Sequence, residues 1–326
     1  MPLIDVHTHM FTRRWLELLR TKGAPYGVQI RPDGKEEIFR GDTPVVFPQP
    51  GHFDYELRLR VMDEAGIDVS VVSLTCPNVY WGTAETSVQA ARESNDTMAE
   101  AQKKYPERIR WFTSLPWEHP ARAVEELRRS HDNGAVGVMV LANVAGRSLT
   151  DPFFAPIWQQ IDERGLPVLI HPTDPPGADV MDMGAYDLSW SVGFMFDTTL
   201  CFTRMIFDGF LDLYPNLKLI ASHAGGALPY LVGRFEKGDE VELAQRRRMK
   251  AKPTDYLRRL YYDCITYDPG ALKYLISVVG ADRVMFGTDW PHQVFDIKDA
   301  LANTGALPPD QRDAIRGGTA AKLFGL

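Results

Sequence analysis

Eight histidines occur in this chain of 326 residues: His7, His9, His52, His119, His131, His171, His223 and His292. Where they fall says more than how many there are. His7 and His9 lie two apart in IDVHTHM. On an extended strand such a pair points to one face, which a helix turn would not achieve. His171 closes VLIHP, His223 closes LIASHAGG, and Asp289 follows another apolar run in MFGTDWPH. One histidine at a strand end is ordinarily a polar cap. Four of them with an aspartate, all at such ends, form a donor set. Three or four imidazoles and one carboxylate suit a single divalent ion, most naturally zinc, with manganese the other candidate. An ion with an open position acidifies bound water to a pKa of about 7.

The remaining histidines read differently. His131, beside Asp132, Asn133 and Gly134, reads as a cap at a helix C-terminus. His119, before Pro120, reads as a helix start. His52 lies in an irregular stretch and reads as a surface-loop residue, with reach into the site as the alternative.

Donors so far apart need elements that gather them. Short apolar runs recur over Leu3–Val6, Val69–Leu74, Ile109–Thr113, Val136–Leu141, Pro167–Ile170, Leu217–Ala221, Leu260–Asp263 and Arg283–Phe286. They lack strict alternation, as strands buried on both faces do. Between them, apolar residues at helical spacing predict helices over Glu85–Tyr105, Ala121–His131, Phe153–Glu163, Thr198–Leu213, Leu228–Ala244 and Gly270–Val279, with another near Tyr55–Ala65. Asp151-Pro152 reads as an N-cap with proline at the first helical position.

Eight strand–helix units predict an α/β fold, a single (β/α)8 barrel domain over residues 1–326. A long, loop-like insertion after strand one, approximately 10–52, would cover its top. The ends of strands one, five, six and eight would then meet at the C-terminal face, where such barrels build their sites. A division into two domains of about 150 residues would separate His7 from Asp289.

Composition narrows the functions. Thirty-six basic against 43 acidic residues give a net charge of −7, a poor basis for phosphate-driven nucleic-acid binding. The one basic cluster, Arg246, Arg247, Arg248, Lys250 and Lys252, reads as a solvated helix face. Cys76, Cys201 and Cys264 are odd in number and far apart, against a disulfide framework and for a reducing compartment. No secretory signal follows Met1, and no run of 18 apolar residues spans a membrane. The expectation is a cytoplasmic protein.

IDVHTHM, VLIHPTD, ASHAGGALPYLVGR and DRVMFGTDWP together resemble the amidohydrolase superfamily, and within it the branch of aminocarboxymuconate semialdehyde decarboxylase. NDTMAEAQKKYPERI and the C-terminal GTAAKLFGL extend the similarity over nearly the whole chain. The resemblance implies one zinc or similar ion held by His7, His9, His171 and Asp289, with His223 as the catalytic histidine. It implies a homodimer in which Arg234, in LVGR, reaches a substrate carboxylate in the neighbouring subunit; a helix-surface salt bridge is its alternative. Arg40 corresponds weakly to a second carboxylate-binding arginine. The end of strand four, Leu141, Ala142 and Asn143, has no lysine to bridge a second metal. Thr173 and His292 depart from the branch, which has tryptophan and phenylalanine at those places.

The leading function is therefore nonoxidative decarboxylation of a small aromatic or muconate-type carboxylic acid, with aromatic catabolism as its setting. His223 or Asp289 would move the proton, and Arg234 would anchor a carboxylate. The alternative is hydrolysis or hydration of a lactone, amide or unsaturated carboxylate at the same site. A non-catalytic barrel is the third reading, and the intact donor set argues against it. Trp81, Trp190, Phe194 and Trp290, with residues of the insertion, would line the pocket and suit a planar ring.

Overall fold

Each of the eight apolar runs forms a strand in the computed structural model, which describes residues 1–326 apart from Asp42, Asp179 and 242–246. The strands are β1 (Ile4–His9), β2 (Val69–Ser73), β3 (Ile109–Ser114), β4 (Gly137–Leu141), β5 (Pro167–His171), β6 (Lys218–Ala221), β7 (Tyr261–Asp263) and β8 (Val284–Met285). They pair in parallel in chain order. The last meets the first: Val6 N donates to Phe286 O at 3.0 Å, His9 N donates to Trp290 O at 2.8 Å, and Thr8 bridges Trp290. The sheet thus closes into a barrel, and this seam lies beside the donors of β1.

Burial on both faces explains the unbroken apolar runs. Every residue of β1, β2, β4 and β5 is buried. Outside the strands, amphipathic helices over Ala84–Lys104, Pro120–Asp132, Ala155–Arg164 and Phe194–Phe207 bury one face each. Trp158, Phe154 and Phe202 are fully buried among them; burying a side chain such as Phe contributes about 1.5–3 kcal/mol. Asp151 caps its helix by accepting from Phe153 N at 2.9 Å. His119 is the N-cap residue of Pro120–Asp132, and His131 lies in that helix's last turn.

Four expectations need correction. The stretch 10–52 is not a loop. It holds a helix, Arg13–Lys22, and a three-stranded antiparallel sheet of Tyr26–Ile30, Glu36–Arg40 and Thr43–Val46. Its strands are only four or five residues long, so their periodicity is faint, but Ile38 and Val46 are buried and anchor the sheet. The helix expected over Thr198–Leu213 breaks at Gly209, whose φ is +67°. A Cβ there would stand 2.8 Å from Arg248 O. The helix from Leu228 ends at Asp239, and Ala244 lies outside the described residues. The basic cluster is not a helix face: Arg247 to Lys250 are non-helical, the Arg247 guanidinium packs on Phe207 at 3.9 Å, and Arg246 lies outside the described residues.

Candidate metal centre

β1 delivers the first two donors. The pleat sends His7 and His9 to one side, and both are 0% exposed. His7 Nδ1 donates to Asp263 Oδ2 at 2.7 Å, leaving its Nε2 with a lone pair. His9 Nδ1 lies 3.2 Å from Ser73 Oγ on β2. Asp289 arrives from beyond β8 with a φ of +60°, a conformation costing a non-glycine residue about 1–3 kcal/mol. Its backbone N–H is held by His7 O at 2.8 Å. The seam that closes the barrel therefore also sets the carboxylate against the two imidazoles.

His7 Nε2, His9 Nε2 and Asp289 Oδ1 form a triangle with sides of 3.1, 3.0 and 3.3 Å. Ligands bound at about 2.1 Å to one ion are separated by roughly 3.0–3.4 Å, so the triangle has the dimensions of one face of a coordination shell. An imidazole N–H placed there cannot serve both of its neighbours well; a cation serves all three. His171, at the end of β5, donates Nδ1–H to Pro172 O at 2.8 Å. Its Nε2 is buried without a hydrogen-bond partner. Donor atoms of His7, His171, His223 and Asp289 lie within 4.8 Å of one another. The donor set fits one divalent ion.

The electrostatics agree. Burial pulls His9 down to about 3, and burial with its imidazole neighbours holds His171 well below its ordinary value. Both stay neutral, the form that binds metal. Burial alone would also lower His7. The hydrogen bond to Asp263 and the Asp289 charge outweigh it, and the net shift is upward. Burial would raise Asp289, but its hydrogen bond with His223 and the surrounding imidazoles hold it well below the carboxylate range.

His223 stands at the end of β6 with a φ of +51°, followed by Ala224 at +57°. The turn is fastened by Asp263: His223 N donates to Oδ2 at 2.8 Å and Ala224 N to Oδ1 at 2.9 Å. His223 Nε2 lies 3.5 Å from Asp289 Oδ2, and its Nδ1 has no partner.

Above the donors opens a cavity of about 590 Å³. His171, His223 and Asp289 form part of its floor; His7 and His9 lie beneath. Trp190 and Phe194 line it, as expected, with Tyr267 and the stretch 43–47. None of the described residues lining it is a lysine or arginine. Trp81 and Trp290 do not line it. Trp81 is buried and donates to Asn78 O at 2.9 Å. Trp290 is buried under the Arg58 guanidinium at 4.5 Å.

His52 is not a surface residue: it is 0% exposed and stacks on Phe11 at 4.2 Å. Its ring centroid lies 5.0 Å from that of His292, which does line the cavity. Arg234 is exposed on the helix Leu228–Asp239 and has no ion pair among the described residues, so the surface salt bridge is absent there. Arg40 is exposed, its guanidinium 5.7 Å from the Tyr26 ring. Asn143, at the place where a bridging lysine would stand, donates to Asp197 Oδ1 at 2.9 Å and Asp174 O at 3.0 Å. All three cysteines are free and buried. No helix among the described residues is long and apolar enough to cross a membrane.

Two residues escaped the sequence reading. Asp263 ends β7, and its signal was available: it is a carboxylate closing an apolar run, as Asp289 is. Arg58 is 1% exposed and donates to Thr8 Oγ1 and His9 O, both at 2.6 Å, bracing β1 from behind. No sequence pattern marks it.

A family model described as amidohydrolase matches residues 4–326. The 2-amino-3-carboxymuconate-6-semialdehyde decarboxylase of Dictyostelium discoideum is 28% identical over 99% of this chain and 91% of its own length. The γ-resorcylate decarboxylase of Polaromonas sp. (strain JS666) is 31% identical over 82% of this chain and 86% of its own. Among solved structures, a dihydroxybenzoic acid decarboxylase from Polaromonas sp. JS666 with bound manganese and the inhibitor 2-nitroresorcinol superposes with a TM-score of 0.84. It has 26% identity and covers 100% of this chain and 97% of that one.

Proposed function

The chain belongs to the amidohydrolase family, and within it we propose that the protein is a metal-dependent nonoxidative decarboxylase of a small aromatic or muconate-type carboxylic acid. The observation that carries this reading is the cavity: its floor holds the donor cluster, aromatic side chains line it, and the described lining has no cation of its own. Among the described residues of one chain, no lysine or arginine at the lining meets an acid there, so the ion would supply that charge.

His7, His9, His171 and Asp289 would hold that ion, zinc or manganese by their chemistry. When bound it supplies fixed positive charge for a substrate oxygen in a dry site. The chain's residues do the rest. His223 lines the cavity and would carry on Nε2 the proton that the ring carbon takes up. The carbon–carboxylate bond then breaks, its electron pair returns to that carbon, and CO₂ leaves. Asp289 Oδ2, 3.5 Å from His223 Nε2, keeps the imidazole oriented and the proton exchangeable. Trp190 and Phe194 offer faces to a planar ring. Arg234 is exposed and does not line its own cavity, which supports a homodimer in which the Arg234 of a second copy reaches the substrate carboxylate.

Purified protein should contain about one equivalent of divalent ion per chain. A panel of hydroxybenzoates and muconate semialdehydes should include an acid that releases CO₂. The same panel carries lactones and amides. Hydrolysis of one of these, with no CO₂ from any acid, would reverse the assignment.

A further inference from the structure

We infer that Asp263 is a positioning residue that fixes the metal ligand His7 and the catalytic His223 with a single carboxylate. The inference rests on the metal-site reading and adds a residue to it. The other two histidine ligands have neutral Nδ1 partners: the Ser73 hydroxyl for His9 and the Pro172 carbonyl for His171. His7 alone meets a carboxylate, at 2.7 Å, with both side chains 0% exposed. A carboxylate there pins the proton on Nδ1, holds the ring and makes Nε2 a stronger donor.

The same oxygen that receives His7 also receives His223 N at 2.8 Å. The other oxygen receives Ala224 N at 2.9 Å and Ile265 N at 3.0 Å. Four donors converge on one buried side chain. Two of them belong to consecutive residues in the left-handed conformation, a backbone that needs outside support. Asp263 thus ties the turn presenting His223 to the ring presenting a ligand nitrogen. The distance between proton donor and metal is set through it rather than through either loop alone.

An asparagine cannot replace it. Its one amide oxygen can serve Ala224 and Ile265, or His7 and His223, but the NH₂ then faces two N–H donors. The simplest relief is for His7 to move its proton to Nε2 and accept on Nδ1, which removes its lone pair from the metal.

The experiment compares wild type, Asp263→Asn and Asp263→Glu. Metal affinity is read by chelator competition, kcat and KM at saturating metal, and the His7 tautomer by 15N shifts of histidine-labelled protein. Circular dichroism of the metal-free forms checks folding. Asp263→Asn should bind metal roughly 10–100-fold more weakly. It should also lose kcat at saturating metal with KM little changed, and carry the His7 proton on Nε2. Asp263→Glu should recover affinity but not kcat, because the longer side chain cannot meet both partners at the same lengths. Should Asp263→Asn not fold, Asp263→Glu supplies the same two readouts. Wild-type affinity and kcat in Asp263→Asn would overturn the inference. So would weakened binding with kcat intact in either variant, which would leave Asp263 a ligand brace only. A wild-type protein that binds no divalent ion would instead overturn the metal-site reading beneath it.

Discussion

The two halves of the donor cluster are built on opposite plans. On the β1 side, His7 and His9 are sealed from solvent, and each Nδ1 faces a partner. Behind them Arg58 grips the backbone of His9 and the Thr8 hydroxyl. On the β5–β6 side, His171 has an unpartnered Nε2, His223 has an unpartnered Nδ1, and both line the cavity. A side chain with every hydrogen bond made has no reason to move. One with a bond to spare can exchange partners. The closed half is suited to gripping an ion; in the open half His171 would complete the ion's ligand set and His223 would handle substrate and protons.

Mutations should separate the halves if that contrast holds. The largest effect belongs to His7→Ala. It should remove metal binding and also strand Asp263, since breaking a buried pair costs about 3–5 kcal/mol. A thermal melt of the metal-free protein would register that loss, and an unchanged melt would mean the pair is not structural. His223→Ala comes next: one equivalent of metal retained, with turnover down about 10²–10⁴-fold. Metal lost alongside activity would erase the distinction between the halves.

Acidity tests the same contrast more finely. His7 is held above its ordinary value of 6.5 and His9 falls to about 3. With a raised value, His7 stays protonated to higher pH, and a metal must displace that proton. Affinity should therefore rise with pH up to the raised His7 value and level off above it. The log-affinity slope in the rising region should be about one proton, not three. A slope near three would show that His9 and His171 also titrate there. The smallest effects lie at the cavity mouth. Trp190→Ala should weaken substrate binding by about 0.5–1.5 kcal/mol, the worth of one aromatic contact. Arg234→Ala should shift stability by no more than about 0.5 kcal/mol, as an exposed residue. A fall in activity without a fall in stability would place it at a second subunit's site.

The barrel was legible because its strands are buried on both faces, and that leaves apolar runs no helix face would carry. The donors were legible because β1, β5, β6 and the approach from β8 all end in a histidine or aspartate. Asp263 was missed although it closes an apolar run as Asp289 does, since its role rests on donors from His7, His223, Ala224 and Ile265 that only the fold brings to it. His52 was misread because Pro50 and Gly51 make its surroundings look like an exposed turn. Its burial comes from Phe11, 41 positions earlier in the chain. The antiparallel sheet of 26–46 was missed because its pairing, not its composition, makes it a sheet.

The seam between β1 and β8 joins His9 to Asp289 across 280 positions. Contacts so distant in sequence are slow to form, because a long loop must close before any bond rewards it. During synthesis the histidines of β1 emerge 280 positions before Asp289, counted from His9. At about 5–20 residues per second, the ribosome would hold His7 and His9 without their carboxylate partner for on the order of 15–60 seconds. Assembly of the complete donor triangle is therefore a late event in the life of the nascent chain, and metal capture by that triangle must wait for it.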